Sequence, residues 1–245
     1  MINLRRAAER HHDKSRTLET WLTFHPEDQT DLQSDGFGDI EILNENRLAP
    51  GARISRVSGH DAEILTYVHE GALAYESSLS SSSIVQAGEF QRVTAGRGLH
   101  RSRTNASRSD SVHYFQIWLR PSEADLDPGH EQKRFTTAQR RGGLCVVASF
   151  DARRGSLRIH QDALIYSALL DPGQHVVHEL SQGRSAWLHV VHGEIVLGDS
   201  VLGPGDGAGI AGERAVSLTA SAESEILLVD LGESEQKVRT NSGRP

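Results

Sequence analysis

Only one cysteine, Cys145, occurs in the 245 residues, so no internal disulfide can form and a reducing compartment suits the chain. Long apolar runs are also missing. Nothing approaches the roughly 18 residues of a membrane-spanning helix, and the N-terminus, Met1-Ile2-Asn3-Leu4-Arg5-Arg6, meets charge again at Glu9, Arg10, Asp13 and Lys14 before a secretory segment develops. Blocks of like charge are absent as well. A net charge of −7, spread along the chain, argues against a nucleic-acid or anionic-membrane surface. There is no phosphate-cradling glycine loop, nucleophile elbow or paired-cysteine metal motif. These absences lead to the expectation of a cytoplasmic protein with no nucleic-acid or membrane partner. Cys145, set in Leu144-Cys145-Val146-Val147, reads as a small buried hydrophobe rather than a reactive thiol.

What is present is strand signal. Short β-branched runs bounded by glycine or proline recur at residues 64–68, 113–119, 186–191 and 225–229, and 23 glycines punctuate them. Such spacing predicts an all-β sandwich or barrel. The serine run from Ser77 to Ser83 reads as a hairpin connection between two strands. From residue 233 to 245 apolar rhythm is lost, which predicts a mobile tail.

A weak duplication predicts two barrels. Leu48-Ala49-Pro50-Gly51 returns as Leu170-Asp171-Pro172-Gly173, Val68-His69-Glu70-Gly71 as Val191-His192-Gly193, and Ala87-Gly88-Glu89 as Pro204-Gly205-Asp206, all at nearly one offset. The domains expected are 1–130, 131–232 and the tail.

The first half carries a spaced series: Gly51, then Val57-Ser58-Gly59, Glu63 and Gly71, followed by Gly88, Gly96, Gly98, Arg101-Ser102-Arg103 and Asn105. With Arg5-Arg6-Ala7-Ala8-Glu9-Arg10, Gln116-Ile117-Trp118, Glu131-Gln132-Lys133-Arg134-Phe135 and the segment Gly155 to Asp162, it resembles the pirin-like branch of the cupins over most of the chain. The resemblance implies a bicupin, two stacked β-barrels with few short helices. It further implies an iron, nickel or copper ion in the N-terminal barrel and, in several members, opening of the flavonol quercetin by dioxygen. The metal-site positions it implies are 57, 59, 101 and 103, histidine at the first three and glutamate at the last in the family; here they hold Val57, Gly59, Arg101 and Arg103. Arginine stays protonated and has no lone pair to give, so no metal cofactor is expected and the local charge is inverted.

Strand alternation gives residues 57 and 59 a shared face, and 101 and 103 likewise, so that the four converge on one cavity. By the same parity Glu63, on a continuous strand, faces the cavity and neutralises one arginine, which leaves the other for a ligand. His60 and His100 each sit one residue from a ligand position, so they serve a metal only if bulges re-aim them. His113 and His160, in family-matching strands, read as hydrogen-bonded structural residues, and Trp118, Trp187 and Phe115 as core. Carrying the first-barrel positions into the second half lands on Glu179, Ser181 and Leu218, and His175 and His178 face opposite ways, so no second metal centre is expected.

Three functions follow. The leading one is a bicupin without its metal that binds a small anionic or phenolic molecule, or a partner protein, in a sensing or regulatory role. The alternatives are a quercetin 2,3-dioxygenase-type oxygenase that uses re-aimed histidines, and an interaction module with a filled remnant cavity.

Overall fold

The structure, a computed structural model, describes residues 1–25, 36–59 (backbone alone over 56–59), 61–77 and 82–233. The expected tail lies almost wholly outside the described residues. Each half is a seven-stranded sheet facing a four-stranded one. In the first half the larger sheet runs, in spatial order, Gly129–Arg134, Glu89–Thr94, Glu63–Glu70, Val112–Leu119, Ile40–Leu48, Leu18–Phe24 and His11–Lys14. The smaller runs Arg53–Gly59, Leu99–Asn105, Ala72–Ser77 and Ser82–Gln86. In the second half the larger sheet is built around Ser185–His192 and Ser224–Leu231, and the smaller around Ala215–Ala220. One four-residue helix, Thr137–Arg140, and two short 3₁₀ turns are the helical content of the described residues. None of it is long and apolar enough to cross a membrane.

The four strand runs read from sequence all form, and Ala72–Ser77 pairs antiparallel with Ser82–Gln86, as a hairpin across the serine run requires. Two strands ignore the division at 130. Ile2–Arg5 pairs with Gly207–Ala211 in the second barrel, and Gly129–Arg134 closes the edge of the first against Glu89–Thr94. The duplicated glycines keep matched left-handed φ: +64° and +81° at Gly51 and Gly173, +80° and +79° at Gly71 and Gly193, +80° and +82° at Gly88 and Gly205.

The broadest apolar core lies between the barrels, not inside either. Leu65, Tyr67, Phe90, Phe115 and Ile117 from the first large sheet pack with Val147, Ile165, Trp187, Leu227 and Val229 from the second. Because the first sheet is buried on both faces, Glu63–Glu70 reads as a nearly unbroken apolar run, with Ile64, Thr66 and Val68 turned into the barrel and Leu65 and Tyr67 turned to its neighbour. Glu225 joins the two barrels electrostatically. It accepts from Tyr67 Oη, from His69 Nδ1 at 3.0 Å and from Arg140 Nη1 at 2.7 Å. Burial pushes this carboxyl up, but the bonds from His69 and Tyr67 and the charge of Arg140 outweigh it and hold Glu225 below its ordinary value.

Candidate functional site

The strand Leu99–Asn105 is central in its sheet, between Arg53–Gly59 and Ala72–Ser77. Leu99, Arg101, Arg103 and Asn105 are buried on one side of it, whereas His100, on the other, is exposed. Its register sets Arg101 against Val57, Leu99 against Gly59 and Arg103 against Ile54, with a bulge between Arg101 and Arg103 that gives the partner strand one extra residue. All four expected positions therefore meet on adjacent strands at one end of the first barrel.

Two guanidiniums are buried there, with Arg101 4% and Arg103 7% exposed. Arg103 Nη1 donates to Gln116 Oε1 and, at 3.4 Å, to Tyr114 Oη. Gln116 Nε2 in turn donates to Thr66 Oγ1 at 2.9 Å, which also accepts from Tyr75 Oη at 3.1 Å. Arg101 has no such support: Nη1 and Nη2 are both buried without a hydrogen-bond partner among the described residues, as are Arg103 Nε and Trp118 Nε1. The Arg101 guanidinium instead lies over the rings of Tyr75 and Trp118, 5.9 and 5.8 Å from their centroids. Burial, reinforced by the charge of Arg103, pulls the Arg101 pKa down to about 10, still high enough to keep the group charged near neutral pH.

Among the described residues no buried carboxylate pairs with this charge. The buried carboxylates among the described residues are Glu63, Glu225 and Asp230; Glu225 is committed between the barrels, and Asp230 to His178 and Arg184. Glu63 does not enter the barrel, contrary to the parity argument. The chain turns at Asp61 between Arg53–Gly59 and Glu63–Glu70, so the strand is not continuous, and Glu63 shares the outward side of Leu65 and Tyr67. There its Oε1 lies 3.0 Å from His160 Nδ1.

Other expectations are adjusted too. The exposure of His100 leaves it on the face away from Arg101, and the bulge falls beyond it in the chain, so it is not re-aimed inward. His60 lies outside the described residues. His113 is a structural partner, with Nε2 2.9 Å from Glu45 Oε1, while His160 fills a like role from a bend rather than a strand. Trp187 and Phe115 are core, but Trp118 is partly exposed and stands beside Arg101. Cys145 is partly buried against the central core, and burial raises its thiol pKa. In the second barrel Leu218 is buried in apolar core and Glu179 and Ser181 are exposed, and His175 and His178 do point to opposite sides of their strand.

Tyr75, Tyr114, Gln116 and Thr66 were not singled out from the sequence. A signal existed: period-two alternation through Tyr114, Gln116 and Trp118 puts three polar-tipped side chains on one face of the strand, opposite Phe115, Ile117 and Leu119.

These residues do not suit a divalent ion. Valine and glycine offer no side-chain donor atom, the two arginines offer only N–H groups, and no cluster of three or more His, Cys, Asp or Glu among the described residues is arranged to hold a metal. The chemistry they do offer is hydrogen-bond donation from a fixed positive charge between aromatic walls.

Residues 3–119 match the family model described as pirin, and residues 146–231 the one described as the quercetinase C-terminal cupin domain. Quercetin 2,3-dioxygenase of Escherichia coli K12 is 37% identical over 231 residues, 94% of this chain and 99% of the relative. A pirin-like protein of Caulobacter vibrioides is 30% identical over 79% of this chain and 84% of its own length. The crystal structure of bacterial pirin YhhW of E. coli in complex with nickel(II) superimposes with a TM-score of 0.89 at 36% identity, covering 95% of this chain and 99% of that one. With both barrels accounted for along their length, this chain belongs to the pirin family of bicupins.

Proposed function

We propose that this chain is a pirin-family bicupin that binds a small anionic or phenolic molecule at Arg101 in its first barrel, in a sensing or regulatory role and without metal-dependent catalysis. The observation that supports this reading is a buried guanidinium whose two terminal nitrogens have no hydrogen-bond partner among the described residues. An uncompensated buried charge costs several kcal/mol, roughly 3–5 by analogy with a broken buried pair. A bound anion relieves both that cost and the repulsion from Arg103. Arginine presents its donors as a rigid fork, which matches an anionic oxygen pair.

The test is thermal melting in HEPES with added sodium acetate. By mass action, acetate at a hundred times its Kd stabilises the native state by about 2.7 kcal/mol. The stabilisation is expected in the native protein and lost in Arg101→Gln; a gain of the same size in Arg101→Gln would show that acetate acts elsewhere.

An oxygenase reading draws on the names of relatives, one called a quercetin 2,3-dioxygenase and another crystallised with nickel(II). It requires metal donors at this end of the barrel, and neither His100, on the outer face, nor the residues at 57, 59, 101 and 103 supply them. Elemental analysis separates the two readings: well under one transition-metal ion per chain is expected, and a stoichiometric ion in the purified protein would favour the oxygenase.

A further inference from the structure

We infer that the ligand class of this site is a planar carboxylate carried on an aromatic body, an inference that rests on the anion-binding reading just given. The unpaired donors are Arg101 Nη1 and Nη2 with the indole Nε1 of Trp118, whose ring the guanidinium overlies, and Arg103 Nε further along the strand. Two terminal N–H groups of one guanidinium engage the two oxygens of a carboxylate side by side. A carboxylate keeps both oxygens in the plane of the fork, whereas a tetrahedral oxyanion sets oxygens out of that plane, on the side of the Tyr75 and Trp118 rings.

The walls select the rest of the ligand. The guanidinium sits over the faces of Tyr75 and Trp118, so a planar group docked onto its fork lies beside the same two rings. Tyr75 Oη is already committed to Thr66, and the unpaired Trp118 Nε1 adds a donor beside the fork. An aromatic body gains offset or edge contacts with these rings, which a saturated one of equal size forgoes. Trp118 is partly exposed, so this end of the barrel lies close to solvent.

The test is isothermal titration of the full chain in HEPES with four probes: benzoate, cyclohexanecarboxylate, acetate and inorganic phosphate. Benzoate is expected to bind about fivefold or more tighter than cyclohexanecarboxylate, the margin that ring contacts supply, and acetate and phosphate to bind more weakly still. Trp118→Phe keeps a ring and removes the indole N–H, and is expected to weaken benzoate about tenfold, while Arg101→Gln abolishes all binding. Trp118 also reports directly in the unmutated protein. Of three indole N–H resonances, the one missing from Trp118→Phe is expected to shift on addition of benzoate.

Equal affinity for benzoate, cyclohexanecarboxylate and acetate, or tighter binding of phosphate, would overturn the aromatic-carboxylate assignment and leave anion binding intact. Benzoate binding with an unmoved Trp118 indole signal would overturn the proposed pose and with it the assignment. No binding of any probe would remove the anion-binding reading itself.

Discussion

The two barrels share a frame and differ in its filling. Their turns keep the same glycine geometry, and each opposes seven strands to four. Inside the second, Leu170, Leu188, Ile195, Leu202, Ile210, Leu218 and Leu228 belong to one continuous apolar cluster. Inside the first, a small cluster around Leu48, Val68 and Val112 and another around Ile64, Val93 and Leu99 are separate, and Arg101, Arg103, Gln116 and Thr66 are buried polar groups of the same interior. Function and filling thus trade against each other within one architecture. The second barrel is filled by one broad apolar cluster, with its buried Asp230 paired to His178 and Arg184, whereas the first gives up packing to hold a guanidinium that no buried carboxylate of the described residues pairs.

The largest test of that contrast is to place the charge in the wrong barrel. Leu218 corresponds to Arg101 by the duplication offset and is 2% exposed among aliphatic side chains. Leu218→Arg has neither aromatic faces nor an amide to receive the guanidinium, so a loss of about 4 kcal/mol or more is expected in urea unfolding. A variant that unfolds at the native midpoint would mean the second barrel is not dry.

Next in size is a pH effect at a second buried base, which meets burial in the opposite way to Arg101. His189 faces Phe115 across the contact between barrels, and neither ring nitrogen has a partner. Burial, with the nearby charge of Arg10, pushes its pKa down to about 4, so it folds neutral. The unfolded chain then binds its proton first, near 6.5, and stability rises with pH between about 4 and 6.5. Across that window the native protein is expected to lose about 3 kcal/mol on acidification that His189→Leu does not lose. The difference between the two must be measured. Burial pulls His69 down but its bond to Glu225 prevails and raises it, which gives stability lost as pH increases. Parallel unfolding curves at every pH would show that His189 is solvated.

Third, Arg101→Met keeps the length of the side chain and removes the buried charge. In buffer free of small carboxylates it is expected to stabilise the first barrel by about 2 kcal/mol, as other buried ionic groups do when replaced by packed hydrophobes. A destabilised variant would mean that the ring contacts of Arg101 outweigh its desolvation.

Much of this was legible beforehand because it is local. Strand periodicity located Glu63–Glu70, Val112–Leu119, Ser185–His192 and Ser224–Leu231, and the repeated glycine turns revealed two copies. Arg101 and Arg103 were pointed to by the resemblance to the pirin-like cupins, and alternation along one strand set both on a single face, a relation that needs no tertiary information. Glu63 was misplaced because parity carries only as far as a strand is continuous, and the turn at Asp61 resets it. The pairing of Ile2–Arg5 with Gly207–Ala211 was not anticipated, since nothing local tells a strand which distant edge it will join.

The smallest effect concerns the frame itself. Gly71 and Gly193 occupy equivalent turns with φ near +80°, so an alanine at either pays the left-handed penalty of about 1–2 kcal/mol. Their surroundings differ. A Cβ at Gly71 would stand 3.1 Å from Ser111 O and from Val112 Cα, a contact that small shifts relieve. At Gly193 it would run into the Glu223 carbonyl and lie 2.6 Å from Ser224 Cα, backbone that cannot step aside without disturbing Ser224 Oγ, which accepts the Glu194 N–H at 3.0 Å. Gly193→Ala is therefore expected to cost about 1 kcal/mol more than Gly71→Ala, the added cost being that of an overpacked contact. Equal costs in chemical unfolding would show that the turns match in packing as well as in dihedral angle, and that the two barrels differ in their interiors alone.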